Sequence, residues 1–142
     1  MNASRTITRR DAFSMVEMLI VIAVIGIMSA LVISAFSNAS QDTRRVVARQ
    51  QQAATQNAVN AWVNATSQEL GLAEARRRYN LAATSKGRVQ LVQNYLDAST
   101  LAHFLSNTTT DAQVQSAALR KTGQHLSLPS WASNSYPQVE LR

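Results

Sequence analysis

The sequence predicts an α-rich (α+β) fold: a long N-terminal α-helical spine with its lower half transmembrane, then a small, mostly helical C-terminal domain ending in a short β-hairpin. Three observations carry that prediction. The 19 residues Met18–Phe36, MLIVIAVIGIMSALVISAF, hold no charge, and their apolar side chains go right round a helix. Such a segment needs lipid or other helices on every side. From Ser37 to about Ser67 the chain has no Gly or Pro and repeats apolar residues at helical spacing. The tail alternates apolar and polar residues in HLSL and again in QVELR.

The segments divide as 1–12, a polar leader with a basic end; 13–36, the apolar half of the spine; 37–70, its amphipathic half; and 71–142, the C-terminal domain. Counted from Phe13 the apolar half is 24 residues. As a helix that is about 36 Å, enough for a hydrocarbon core of about 30 Å. In the amphipathic half Val47, Ala54, Ala58, Ala61, Trp62 and Ala65 form a thin, alanine-rich stripe. A helix from Phe13 to about Ser67 would be roughly 80 Å long, far beyond the mean for a soluble domain. Its lower half needs lipid or a filament core, and its upper half a covering domain.

Gly71 stops the spine, and LAEARRRYNLAA predicts a second helix from Leu72 to about Ala83. Ser85-Lys86-Gly87 reads as a turn. The stretch Arg88–Asn107 reads as one helix with Val92, Leu96, Leu101, Phe104 and Leu105 on a broad face and Tyr95 beside it. Thr108–Asp111 supplies a loop and an N-cap for a short helix over Ala112–Lys121, with Gly123 as its stop. Trp62 and Trp131 read as core anchors.

The whole chain carries 14 basic and 8 acidic residues, a net charge of +6. Arg5, Arg9 and Arg10 against Asp11 in the leader leave +4 to the rest. Cysteine is absent, which excludes disulfides and thiolate metal sites. Arginines flank the apolar run on both sides, Arg5, Arg9 and Arg10 before it and Arg44, Arg45 and Arg49 after it, so the positive-inside rule leaves the orientation open.

Inside the apolar run the exception is Glu17. A carboxylate at the edge of hydrocarbon costs about 3 kcal/mol unless it is partnered or protonated. Ala12-Phe13-Ser14-Met15-Val16-Glu17-Met18, followed by the apolar run, resembles the N-terminal signature of type IV pilins and type II secretion pseudopilins, usually G-F-T-L-I-E before an apolar stretch. Ala12 stands where Gly is usual, Ser14, Met15 and Val16 where Thr, Leu and Ile are common, and Ser34 where a helix-kinking Pro is common. The resemblance covers roughly the first 45 residues.

The resemblance implies a cytoplasmic leader cut between Ala12 and Phe13 by a prepilin peptidase, N-methylation of Phe13, and polymerisation through the N-terminal helix. It implies a single-pass bacterial inner-membrane precursor with a periplasmic C-terminal domain, which then enters a pilus or pseudopilus filament. The implied partners are the peptidase, other pilin or pseudopilin subunits and an inner-membrane assembly platform. Once cut, Phe13 would carry an α-ammonium, and Glu17, four residues on, is the carboxylate nearby in sequence to neutralise it, within one subunit or between neighbours.

Two other readings compete. A basic start, an apolar run and Ser37-Asn38-Ala39 also imitate a secretory signal cut after Ala39, which would release an exported soluble binding protein. A bitopic anchor that never polymerises is the other. The Thr8–Phe13 resemblance to a twin-arginine signal is weak.

Catalytic patterns are missing from the sequence: no Gly-rich phosphate loop, no G-x-S-x-G, no paired carboxylates. His103 and His125 have no Asp or Glu at metal-ligand spacing, so no cofactor or metal is expected. A structural rather than enzymatic role follows. Arg76-Arg77-Arg78-Tyr79 is the one concentrated basic patch, a candidate for anion or nucleic-acid contact. Three consecutive helical residues point 100° apart, which favours a solvated face or pairing with Glu69 and Glu74 over a nucleic-acid site.

Overall fold

The computed structural model describes residues 13–142, so the predicted leader, Ala12 included, lies outside the described residues. The protein is mostly helical, with a long N-terminal helix, a few short helices and a two-stranded antiparallel pair near the C-terminus. By contacts it divides into two units, the first ending at Ala39 and the second being Ser40–Arg142. The elements are helix α1 (Met15–Leu70), α2 (Leu72–Leu81), α3 (Ser85–Leu91), a single 3₁₀ turn (Gln93–Tyr95), α4 (Ala98–Asn107), α5 (Ala117–Thr122), and strands β1 (Leu126–Ser127) and β2 (Glu140–Leu141).

Helix α1 is a single element of 56 residues, as the absence of Gly and Pro after Gly26 predicts. Gly71 ends it at φ +87, a left-handed conformation that glycine adopts without strain. The same residue opens α2, because the Ala75 amide donates to the Gly71 carbonyl at 3.1 Å.

Within Ser40–Arg142, α1 contributes a stripe of Ala48, Thr55, Ala58, Val59, Trp62, Val63 and Thr66 to the core. The stripe predicted from alanines is therefore rotated by about one residue. Thr55 and Thr66 are buried where Ala54 and Ala65 were expected, and both alanines are exposed. Burial of Thr55 leaves its hydroxyl satisfied, since Oγ1 donates to the Gln51 carbonyl one turn back at 2.8 Å. Around this stripe pack Ala75, Tyr79, Val89, Val92, Leu96, Phe104, Val114, Leu119, Leu126, Leu128, Trp131 and Val139. Trp62, Tyr79 and Trp131 form an aromatic chain, with centroids 6.2 and 6.1 Å apart, the second pair edge-on.

Three local predictions are corrected, each by a cap. Ser85-Lys86-Gly87 is the first turn of α3, because the Thr84 hydroxyl accepts from the Gly87 amide. The helix expected over Arg88–Asn107 is broken after Leu91 and restarts at Ala98, where the Asp97 carboxylate accepts from the Ser99 and Thr100 amides. Leu96, with an extended backbone between them, is still buried, whereas Tyr95 and Leu105 are exposed. The helix expected from Ala112 begins only at Ala117, capped by the Ser116 hydroxyl. Val114 is drawn instead into a bridge with Leu126, exchanging both backbone hydrogen bonds at 3.0 and 2.8 Å. Gly123 stops α5 in the left-handed region at φ +70, as predicted.

Leu126 pairs with Leu141 and Ser127 with Glu140, antiparallel. Two residues per strand hold little by themselves. The long connection between them is fixed by side-chain amides of the helices. Gln56 donates to the Pro137 carbonyl at 3.1 Å and accepts from the Val139 amide at 2.7 Å, and Gln52 donates to the Val139 carbonyl at 2.8 Å. Asn80 does the same for Trp131, donating at 3.1 Å and accepting at 2.8 Å. Each amide thus takes the place of a neighbouring strand.

Candidate processing and assembly site

Helix α1 begins at Met15 because Ser14 caps it. Its Oγ accepts from the Val16 amide at 3.2 Å, and its carbonyl accepts from the Met18 amide at 3.2 Å. Glu17 reaches back, its carboxylate accepting from the Ser14 amide at 3.4 Å. Ser14-x-x-Glu17 thus has the spacing of a capping box and its carboxylate arm, with the Ser14 hydroxyl on the Val16 amide, and the carboxylate also meets the positive end of the helix dipole. The sequence reading missed this role of Glu17. The S-x-x-E spacing ahead of an apolar run was the signal that could have found it.

Phe13 and Ser14 precede the helix and are exposed. From Phe13 to Phe36 the large apolar side chains are 46–86% exposed. None of the segment's most apolar 18-residue window, with mean hydropathy 2.8, is buried, and its length and composition suffice to cross a membrane. Covering such side chains gains about 1.5–3 kcal/mol each. A segment this apolar is incompatible with water on all its faces.

The basic run Arg76-Arg77-Arg78 is divided by the fold. Arg77 grips the Glu74 carboxylate with two bonds of 2.8 and 2.7 Å, and Arg78 adds a third at 3.2 Å. These guanidiniums, Arg77 first, hold the Glu74 carboxyl at about 2. Arg76 points elsewhere, into a cleft of about 470 Å³ lined also by Leu72, Trp131 and Tyr136. Tyr136 stacks on Trp131 there at 5.8 Å. His103 lies in α4, and His125 exchanges backbone bonds with Arg142 at the end of the strand pair. Among the described residues, no group of three or more His, Asp or Glu is arranged to hold a metal ion.

Residues 7–33 match a protein-family profile described as the prokaryotic N-terminal methylation motif. That motif is the hallmark of the prepilin-type precursors of type IV pilins and pseudopilins, so the chain carries a pilin-like, methylation-type N-terminus opening onto a helix of transmembrane length. No curated protein and no solved structure matches the chain.

Proposed function

We propose that the chain is a structural subunit of a type IV pilus or a type II secretion pseudopilus. In this reading a prepilin peptidase cuts between Ala12 and Phe13, Phe13 is N-methylated, and subunits polymerise through α1 on an inner-membrane platform. The observation that supports it best is the conjunction at one end of the chain of the methylation motif at residues 7–33 and an apolar helical segment whose large side chains are exposed. The same segment serves two environments: lipid before assembly, other copies of the helix after it.

Glu17 acts in both. In the precursor Phe13 is an amide, and the carboxylate satisfies the Ser14 amide. The cut adds a cation at Phe13, one residue from the group Glu17 already holds. A buried ammonium needs a carboxylate, and Glu17 of the same or an arriving subunit supplies it. Glu17→Ala leaves membrane insertion intact, since it removes a charge from the apolar segment, and abolishes or severely slows filament formation. Filaments of normal number and length from that variant would overturn the assignment.

The C-terminal unit Ser40–Arg142 would face the periplasm, with Arg76, Arg77 and Arg78 as surface cations and no nucleic-acid contact required of them. One observation favours a second reading. The boundary between the two compact units falls between Ala39 and Ser40, where a secretory-type cut would release an exported soluble protein. Against it, α1 runs unbroken through that point, and the matched motif lies within the portion that would be discarded.

A further inference from the structure

We propose that the recess lined by Gln41, Arg44, Arg45, Lys121 and Thr122 docks the phosphates of anionic phospholipid headgroups. The proposal rests on the reading of Phe13–Phe36 as membrane-embedded. The recess, about 250 Å³, joins α1 to the end of α5, two segments far apart in sequence. Two of its cations follow the apolar run closely in the chain, Arg44 eight residues after Phe36, and Lys121 is delivered by the last turn of α5, with Arg120 beside it in sequence. Thr122 spends its hydroxyl on the Leu119 carbonyl at 2.9 Å, which leaves the cations and the Gln41 amide to meet a ligand.

The charge inventory selects the occupant. Within Ser40–Arg142 almost every carboxylate is already engaged. Asp42 lies 3.7 Å from Arg45, Glu74 holds Arg77 and Arg78, Asp111 holds Lys86 and Glu140 holds Arg142. Asp97 caps α4. That leaves Glu69 as the carboxylate of this unit without a partner among the described residues, whereas Arg44, Arg120 and Lys121 have no acidic partner there. The same unit of a second copy would therefore offer this cluster Glu69, and Asp97 if it left its cap, as carboxylates without a cationic partner among the described residues. A phospholipid surface brings many phosphates, and cations next to a membrane span are attracted to it by about fivefold each.

The test uses the full chain in nanodiscs of phosphatidylcholine alone or of phosphatidylcholine with phosphatidylglycerol, with hydrogen exchange read over Ala117–Thr122. Exchange should slow several-fold with phosphatidylglycerol. The slowing should vanish at about 0.5 M salt, where the Debye length falls to about 4 Å. It should vanish also in Arg44→Gln/Lys121→Gln, exposed or half-exposed positions outside the core. Equal exchange in the two lipids, slowing that survives salt and substitution, or slowing by a DNA duplex but not by phosphatidylglycerol would each overturn the proposal. Alkaline extraction of native membranes holding the chain separates this outcome from the underlying reading: a chain that is extracted was never a membrane span, whereas one that stays inserted without lipid selectivity sinks the headgroup site alone.

Discussion

Glu17 illustrates how one carboxylate is tolerated at the head of an apolar segment: it is tied to the backbone that starts the helix. Its placement four residues after Phe13 was legible from sequence, but its bond to Ser14 was less so, because a carboxylate in apolar surroundings points to a cation and the partner is an amide. Tyr79 is a second residue whose behaviour follows from its surroundings. Its side chain is fully buried between Trp62 and Trp131, its hydroxyl has no hydrogen-bond partner among the described residues, and the Arg88 guanidinium lies 5.2 Å from the ring centre. Arg88 is itself buried and donates to the Leu128 and Tyr79 carbonyls. Burial pushes the Tyr79 phenol up to about 12, against a smaller opposing pull from Arg88. The unfolded chain would release this proton near pH 10, the folded chain near 12, so the folded state holds the extra proton between them. Stability falls across that window by up to about 1.4 kcal/mol per pH unit. The difference in phenolate absorbance between the chain and Tyr79→Phe should appear near pH 12, and a difference complete by pH 10 would contradict it. Because the hydroxyl is buried without a partner, Tyr79→Phe should leave thermal stability unchanged or raise it.

At the scale of elements, caps decided where helices start, and periodicity alone could not see them. The face carrying Val92, Leu96, Leu101 and Phe104 was correctly assigned to the core side, yet one Asp97 side chain splits the helix that pattern suggested. Likewise Thr84 and Ser116 move starts by several residues, while Gly71 and Gly123, whose left-handed backbone is a property of the residue itself, mark ends that were readable. Alanine composition suggested the right helix and, at Ala58 and Trp62, the right stripe, but Thr55 and Thr66 are buried in place of Ala54 and Ala65, the Thr55 hydroxyl being satisfied by its own helix backbone. The amide clamps on the tail were not legible at all, for they join residues some eighty positions apart. They are testable. Gln56→Ala removes both the Pro137 and the Val139 bonds and leaves a half-buried amide unsatisfied, a loss of about 1–3 kcal/mol. Hydrogen exchange at Val139 should rise by about fivefold to a hundredfold by that arithmetic, about 1.4 kcal/mol per decade, while α4 amides stay as they were. Gln56→Glu keeps the acceptor for Val139 and should lie between the two.

For the molecule as a whole, the division of labour along the chain follows from where apolar surface is covered. Ser40–Arg142 buries its own core, built on one stripe of α1, whereas the apolar side chains of Phe13–Phe36 are left to the surroundings. In the proposed reading, that contrast and the motif over residues 7–33 make the N-terminal part of the chain the one through which subunits assemble. The sequence showed this half well, because a charge-free run and a spaced Glu are local signals. It showed the C-terminal half less well, because that fold depends on caps and long-range amide bonds. The same contrast defines the decisive measurement, the intact mass and N-terminal peptide of the protein purified from its native membrane. The account requires a chain that starts at N-methylated Phe13. A chain starting at Ser40, or one that still carries Met1–Ala12, would contradict it.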